Sequence, residues 1–188
     1  MHYTLCDMFS DLTQNALEAG ADRVTVRLAE TDGEVSLVIK DNGKGMTADQ
    51  LKRATDPFWT DGIKHPGRKV GFGIPFLIQT AESTGGYWNI ESRHEGKTGT
   101  TVSCRFDLTN IDTPPVGDVT GYFRQILTFD GPYEMVITHA VSRDGKKTEY
   151  TVRRSELLDA LGLAEERSFT DVSSLALLGE YLKNLLEE

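Results

Sequence analysis

Asp11 and Asn15 stand four residues apart in a stretch with helical spacing. A carboxylate and a carboxamide therefore project from one helix face about a turn apart. Asp41-Asn42-Gly43-Lys44-Gly45-Met46 places an acid at the end of a buried strand, followed by two glycines that let a ligand approach the backbone. Gly71-Phe72-Gly73-Ile74-Pro75 opens a helix, where unpaired N–H groups and the positive end of the helix dipole suit an anion such as phosphate. Gly99-Thr100-Thr101 adds hydroxyls at the start of a later strand. Each of these features alone is common on protein surfaces; their order along one chain is what points to a site. Neither a Walker A loop nor a dinucleotide fingerprint fits, because no Gly-Lys-Ser/Thr ends the glycine pair and the sheet is not built of alternating strands and helices.

The elements that must position these residues follow from periodicity. Leu5, Met8, Phe9, Leu12, Ala16 and Ala19 recur at helical spacing and Gly20 supplies a stop, which predicts a helix over about 3 to 19. Val24, Val26 and Leu28 alternate with polar residues, and the alternation resumes after Thr31-Asp32-Gly33 through Val35, Leu37 and Ile39, which predicts a hairpin. Thr47 caps a short helix over 47 to 55. Residues 56 to 73, rich in glycine and proline, are expected to form a mobile loop. A helix after Gly73 ends at Gly85-Gly86, and strands follow at about 87 to 93 and 100 to 108. The first 110 residues thus predict helices segregated on one face of a mainly antiparallel sheet, an α+β two-layer α/β sandwich.

Asp112-Thr113-Pro114-Pro115-Val116-Gly117 marks a boundary, so the chain divides into residues 1–110 and 111–188. The second part predicts an α+β extension packed on the first. It consists of a short helix near 119 to 129, a hairpin around Asp144-Gly145, a short helix at 155 to 161, and a last helix from near Thr170-Asp171. Leu175, Leu178, Leu182 and Leu185 fall on one stripe of that last helix, which must cover either the body of the protein or a neighbour.

With 20 basic and 29 acidic residues in 188, the formal charge is −9, which disfavours broad electrostatic binding to nucleic acid or anionic membrane. Cys6 and Cys104 have neither zinc-site spacing nor disulfide-scaffold density, so both are expected as buried free thiols. The N-terminus lacks a leader pattern and no apolar run approaches ~18 residues. The expected location is cytoplasmic.

Residues 5 to 108 together resemble the GHKL superfamily of ATP-binding domains, which comprises DNA gyrase, the ninety-kilodalton heat-shock chaperone, histidine kinases and MutL. Asp11 to Ala21 looks like the N box in its MutL and topoisomerase form, and Asp41 to Met46 looks like the G1 box. Asp56-Pro57-Phe58-Trp59-Thr60, Val70 to Pro75, Gly85-Gly86 and Gly99-Thr100-Thr101 are similar to the F, G2 and G3 elements as histidine kinases write them. The resemblance implies the Bergerat-type ATP-binding fold, with ATP and Mg²⁺ as cofactors. It implies Asn15 as a Mg²⁺ ligand and Asp41 as the acceptor for the adenine amino group. Gly43, Gly45 and Met46 would border the base, and Thr100 would help Asp41 hold a bridging water. Gly71, Phe72 and Gly73 would present backbone to the phosphates, Lys69 a point charge nearby, and residues 60 to 70 a lid. Asp11 falls at the catalytic N-box position, usually Glu in the ATPase members; one methylene shorter, it implies slow hydrolysis. Where the G2 box commonly begins with glycine, this sequence has Lys69.

The chain begins almost at the N box, and none of His2, His65, His94 and His139 sits where a phospho-acceptor helix could be. The function implied is a stand-alone Mg²⁺-dependent ATP-binding protein that hydrolyses slowly or switches with ATP toward a protein partner or a second copy through residues 111–188. The alternative is a protein kinase acting on a separate protein, as an anti-sigma-type serine kinase or the catalytic half of a split histidine kinase. A regulatory subunit with a decayed nucleotide site is the third.

Overall fold

The computed structural model describes residues 3–56, 73–164, 168–169 and 171–187. Helix α1 (Leu5–Glu18) starts at Thr4, whose hydroxyl accepts the Asp7 N–H while the Asp7 carboxylate takes the Thr4 N–H, a reciprocal capping box. Its next free donors, the N–H groups of Leu5 and Cys6, go to the carbonyls of Pro115 and Val116, both at 2.9 Å. The segment after the proline pair therefore closes the start of the first helix.

Strands β1 (Arg23–Thr31) and β2 (Glu34–Asp41) form the expected hairpin, with every second residue buried. Helix α2 (Ala48–Ala54) is capped by Thr47 and Gln50, and α3 (Gly73–Thr84) leads into β3 (Tyr87–Arg93) and β4 (Gly99–Asp107). Then come α4 (Val119–Leu127), the hairpin β5 (Glu134–Arg143) and β6 (Lys146–Arg153), α5 (Arg154–Ala160) and α6 (Val172–Glu187). The fold is α+β. Among the described residues, six strands make one sheet in the order β3-β4-β2-β1-β5-β6. Four pairings are antiparallel; β1 and β5 run parallel.

One face of the sheet is apolar and covered. Val26, Leu28, Leu37, Ile39, Phe106 and Ile137 are among the residues that form this face, and α3, α1, α4 and α6 lie side by side in that order above it. Leu178 and Leu182 of α6 are buried in this core, and Leu175 and Leu185 pack at its margin. Cys6 and Cys104 are free and buried, and burial pushes both thiols up to about 12. No described helix is long and apolar enough to cross a membrane.

Within this apolar layer sits a polar cluster that crosses from β1 to β6. His139 on β5 and Glu30 on β1 are only 1% and 5% exposed. His139 Nε2 lies 2.6 Å from Glu30 Oε2, and its Nδ1 lies 2.8 Å from the Tyr150 hydroxyl on β6. Arg143 donates to the other Glu30 oxygen at 3.1 Å. An ionised carboxylate only accepts, so Nε2 carries the shared hydrogen. The phenyl ring of Phe123, from α4, meets the His139 imidazole edge-on. Sequence reading gave His139 no special part; the structure makes it the joint between the two hairpins.

Candidate functional site

The open end of the site is built where β2 stops. Asp41 pairs with Thr100 across β2 and β4, and its side chain turns back so that Oδ1 accepts the Gly43 N–H at 2.8 Å. Burial lifts the Asp41 carboxyl above its usual range, while the backbone N–H groups of Gly43 and Thr100 pull it the other way. A half-buried acceptor at a strand end, beside an open backbone turn, is suited to bind a donor group.

The loop after Asp41 is held from several sides. The Lys44 N–H reaches the Ala19 carbonyl at the end of α1, at 2.9 Å. Asn42 accepts the N–H groups of Asp22 and Arg23 through Oδ1, and donates to the Asp22 carboxylate at 2.6 Å. Gly45 has φ +66°, and a Cβ there would run into the Arg93 carbonyl, so only glycine fits. The Met46 N–H donates to the Ser92 hydroxyl at 2.7 Å, and Ser92 is in turn 2.8 Å from the Thr100 hydroxyl. Thr100 is thus tied to the loop through Ser92 and to Asp41 through strand pairing.

The far end of the site is set by α1 against α3. Asp11 and Asn15 are half-buried on one side of α1. Gly73 opens α3 directly on that helix; a Cβ there would stand 3.1 Å from the Leu12 nitrogen and 3.2 Å from the Asp11 Cβ. The absence of a side chain lets the helix start close on α1. The Tyr3 hydroxyl donates to Asp11 Oδ2 at 3.2 Å. From Asp11 to Ala19 the helix rises about 12 Å at 1.5 Å per residue. One helix therefore touches both the α3 start and the Gly43–Lys44 turn.

The structure sets Gly73 against Asp11, with Asn15 a turn further along α1, and brings together Asp41, Gly43, Gly45, Met46 and Thr100 where β2 ends. Lys69, Gly71 and Phe72, the expected lid at 60 to 70, and most of the F element and of the loop expected over 56 to 73 lie outside the described residues. Sequence reading missed Tyr3, Asn42 and Ser92. Asn42 had no local signal, since the backbone it bonds lies 20 and 19 residues away at Asp22 and Arg23. Ser92 had none, because strand alternation does not tell a hydroxyl which loop it will meet.

The family model described as "Histidine kinase-, DNA gyrase B-, and HSP90-like ATPase" matches residues 3–110. The histidine-protein kinase AfsQ2 of Streptomyces coelicolor is 30% identical over 115 residues, which is 61% of this chain and 21% of that protein. The DNA mismatch repair protein MutL of Thermus aquaticus is 32% identical over 93 residues, 50% of this chain and 17% of MutL. Histidine protein kinase DivJ of Caulobacter vibrioides is 33% identical over 101 residues, 52% of this chain and 17% of DivJ. The matches thus span about a fifth of these relatives. Among solved structures, the mycobacterial sensor histidine kinase MprB aligns at 23% identity and a TM-score of 0.38, covering 52% of this chain and 67% of that one. Through residues 3–110 the chain belongs to the histidine kinase-, DNA gyrase B- and HSP90-like ATPase family, and it carries a histidine-kinase-like ATP-binding domain.

Proposed function

We propose that the protein binds ATP with Mg²⁺, hydrolyses it slowly, and passes its nucleotide state to a protein partner through residues 111–188. The observation that supports this most is the reach of α1, which contacts the Gly43–Lys44 turn at Ala19 and the start of α3 at Asp11 and Leu12. A nucleotide can then lie along one rigid element, its base at Asp41 and its phosphates at the N-terminus of α3. Asp41 accepts from the adenine amino group, and the open backbone of Gly43 and Gly45, with Met46 beside it, borders the base. Thr100, held by Ser92, supports Asp41 and a bridging water. Gly71, Phe72 and Gly73 offer backbone to the phosphates, and Lys69 supplies a point charge.

The donor set suits Mg²⁺ in particular. Among the described residues no three His, Cys, Asp or Glu side chains converge as a metal cage. Asn15 offers one amide oxygen, which fits an ion that takes most of its ligands from substrate phosphates and water. Bound there, Mg²⁺ supplies charge neutralisation for the phosphates. Asp11, a turn away on the same helix face, acts as the base toward water. The buried free thiols Cys6 and Cys104 fit a reducing compartment, and we assign the activity to the cytoplasm.

Asp11→Asn tests the assignment of the base. General-base catalysis contributes about 10²–10⁴-fold, so phosphate release should fall at least about 100-fold. Affinity for a non-hydrolysable ATP analogue should be retained, because Asp11 does not contact the base. Unchanged turnover would remove Asp11 from the mechanism.

A second reading is favoured by the relatives whose printed names are histidine kinases. In it, the phosphoryl group goes to a residue of another protein. Incubation with labelled ATP and host extract, followed by intact-mass analysis, separates the two: a labelled protein supports transfer, and free phosphate alone supports hydrolysis.

A further inference from the structure

Tyr3 sits just before the Thr4 cap, in a segment pinned by the capping box and by the Leu5 N–H to the Pro115 carbonyl. Its hydroxyl donates to Asp11 Oδ2 at 3.2 Å. Its ring stacks on Phe76, with centroids 4.6 Å apart and planes inclined at 24°. Phe76 lies in the first turn of α3, the helix whose start packs on Asp11 through Gly73. Burial, together with the nearby charge of Asp11, lifts the Tyr3 phenol far above its ordinary value. The hydroxyl therefore stays protonated across the working pH range and serves Asp11 as a donor.

We propose that Tyr3 is a positioning residue for Asp11: its hydroxyl holds one carboxylate oxygen, so that the other is presented to the attacking water, and its stacking on Phe76 ties that setting to the phosphate-side helix. The proposal rests on the reading of Asp11 as the base. An Asp carboxylate rotates about two side-chain bonds, and fixing one oxygen removes most of that freedom. Orientation of this kind carries large rate effects, since displacements of about 1 Å cost on the order of 100-fold. A short base on the helix surface has particular need of such a hold. Tyr3 is part of neither the base-binding turn nor the phosphate-binding backbone, so its loss should act on the chemical step.

Tyr3→Phe keeps the ring on Phe76 and removes only the donor. The expected result is a kcat for ATP hydrolysis about 10-fold lower, with KM, analogue affinity and melting temperature unchanged. In the Asp11→Asn background, adding Tyr3→Phe should change nothing further, because Tyr3 acts through Asp11. If Asp11→Asn abolishes turnover while Tyr3→Phe keeps the wild-type kcat, the proposal fails and the base assignment stands. A loss seen in KM or melting temperature rather than kcat also overturns it, as a merely structural role. If Asp11→Asn turns over like the wild type, or the wild type does not hydrolyse ATP, the base assignment fails and this proposal fails with it.

Discussion

Asp41→Asn is expected to weaken ATP binding about 100-fold or more without loss of stability. The carboxylate has two oxygens, and the Gly43 N–H already takes one of them at 2.8 Å. A bound adenine offers a second donor, its amino group. Asparagine has one oxygen and one NH₂, so it satisfies the Gly43 N–H or the adenine, and its NH₂ faces a donor in either case. A polar group left unpaired in a desolvated site costs about 1–3 kcal/mol, and sites built on a specific hydrogen bond reject a mismatched group more strongly still.

The stability side follows from the direction of the Asp41 shift. Burial raises its carboxyl in the folded protein. The folded state therefore holds that proton more tightly than the unfolded one, and the stability linked to it is present below the ordinary carboxylate value and is lost as pH rises through the lifted value. At neutral pH the ionised side chain is a cost, and the neutral amide removes it. Urea melts at pH 7 should place the variant at or above the wild type, with the difference vanishing in acid. The same direction predicts that wild-type ATP affinity falls as pH drops through the lifted Asp41 value, because a protonated oxygen no longer accepts.

Glu30→Ala is expected to cost about 3 kcal/mol of folding free energy, where the ranges for an unsatisfied buried polar group and a broken buried pair meet. Its carboxylate receives both His139 and Arg143. With Glu30 gone, the His139 imidazole, 1% exposed, keeps its Tyr150 partner and loses the one on Nε2. Arg143 is half exposed and turns to water. The loss falls on the joint between β1 and β5, so the unfolding transition should move to lower urea as one cooperative step. Glu30→Gln should cost less, since an amide oxygen still accepts from Nε2. Glu149→Ala is the control: its pairing with Arg27 is exposed on both sides, and its loss should change stability by no more than about 1 kcal/mol.

The contrast between these two sites explains what the sequence could tell. Strand alternation through Val24–Leu28 and Val35–Ile39, the Thr4 and Thr47 caps and the glycines after Asp41 are local signals, and local physics sets those elements. The Asp41 turn was legible because the acceptor and the glycine it bonds are two residues apart. The Glu30–His139 contact spans 109 residues and depends on the parallel pairing of β1 with β5, which leaves no trace in the spacing of either strand. Glu30 itself breaks the apolar alternation of β1 on its buried face, a local inconsistency that marks a polar partner without naming it. Tyr3 falls inside the helix expected over about 3 to 19, whereas the structure starts that helix at Leu5 behind the Thr4 cap and leaves Tyr3 ahead of it, free to reach Asp11 and Phe76.

The proposed function stands on the selection of an adenine nucleotide by Asp41. Calorimetric titration of the wild-type protein with a non-hydrolysable ATP analogue and its GTP counterpart, each with Mg²⁺, tests it most directly. The expected result is saturable binding of the ATP analogue and at least about 100-fold weaker binding of the GTP analogue, because guanine presents a carbonyl where adenine presents its amino group, leaving the Asp41 carboxylate facing an acceptor. Equal affinity for the two nucleotides, or no binding of either, would contradict it.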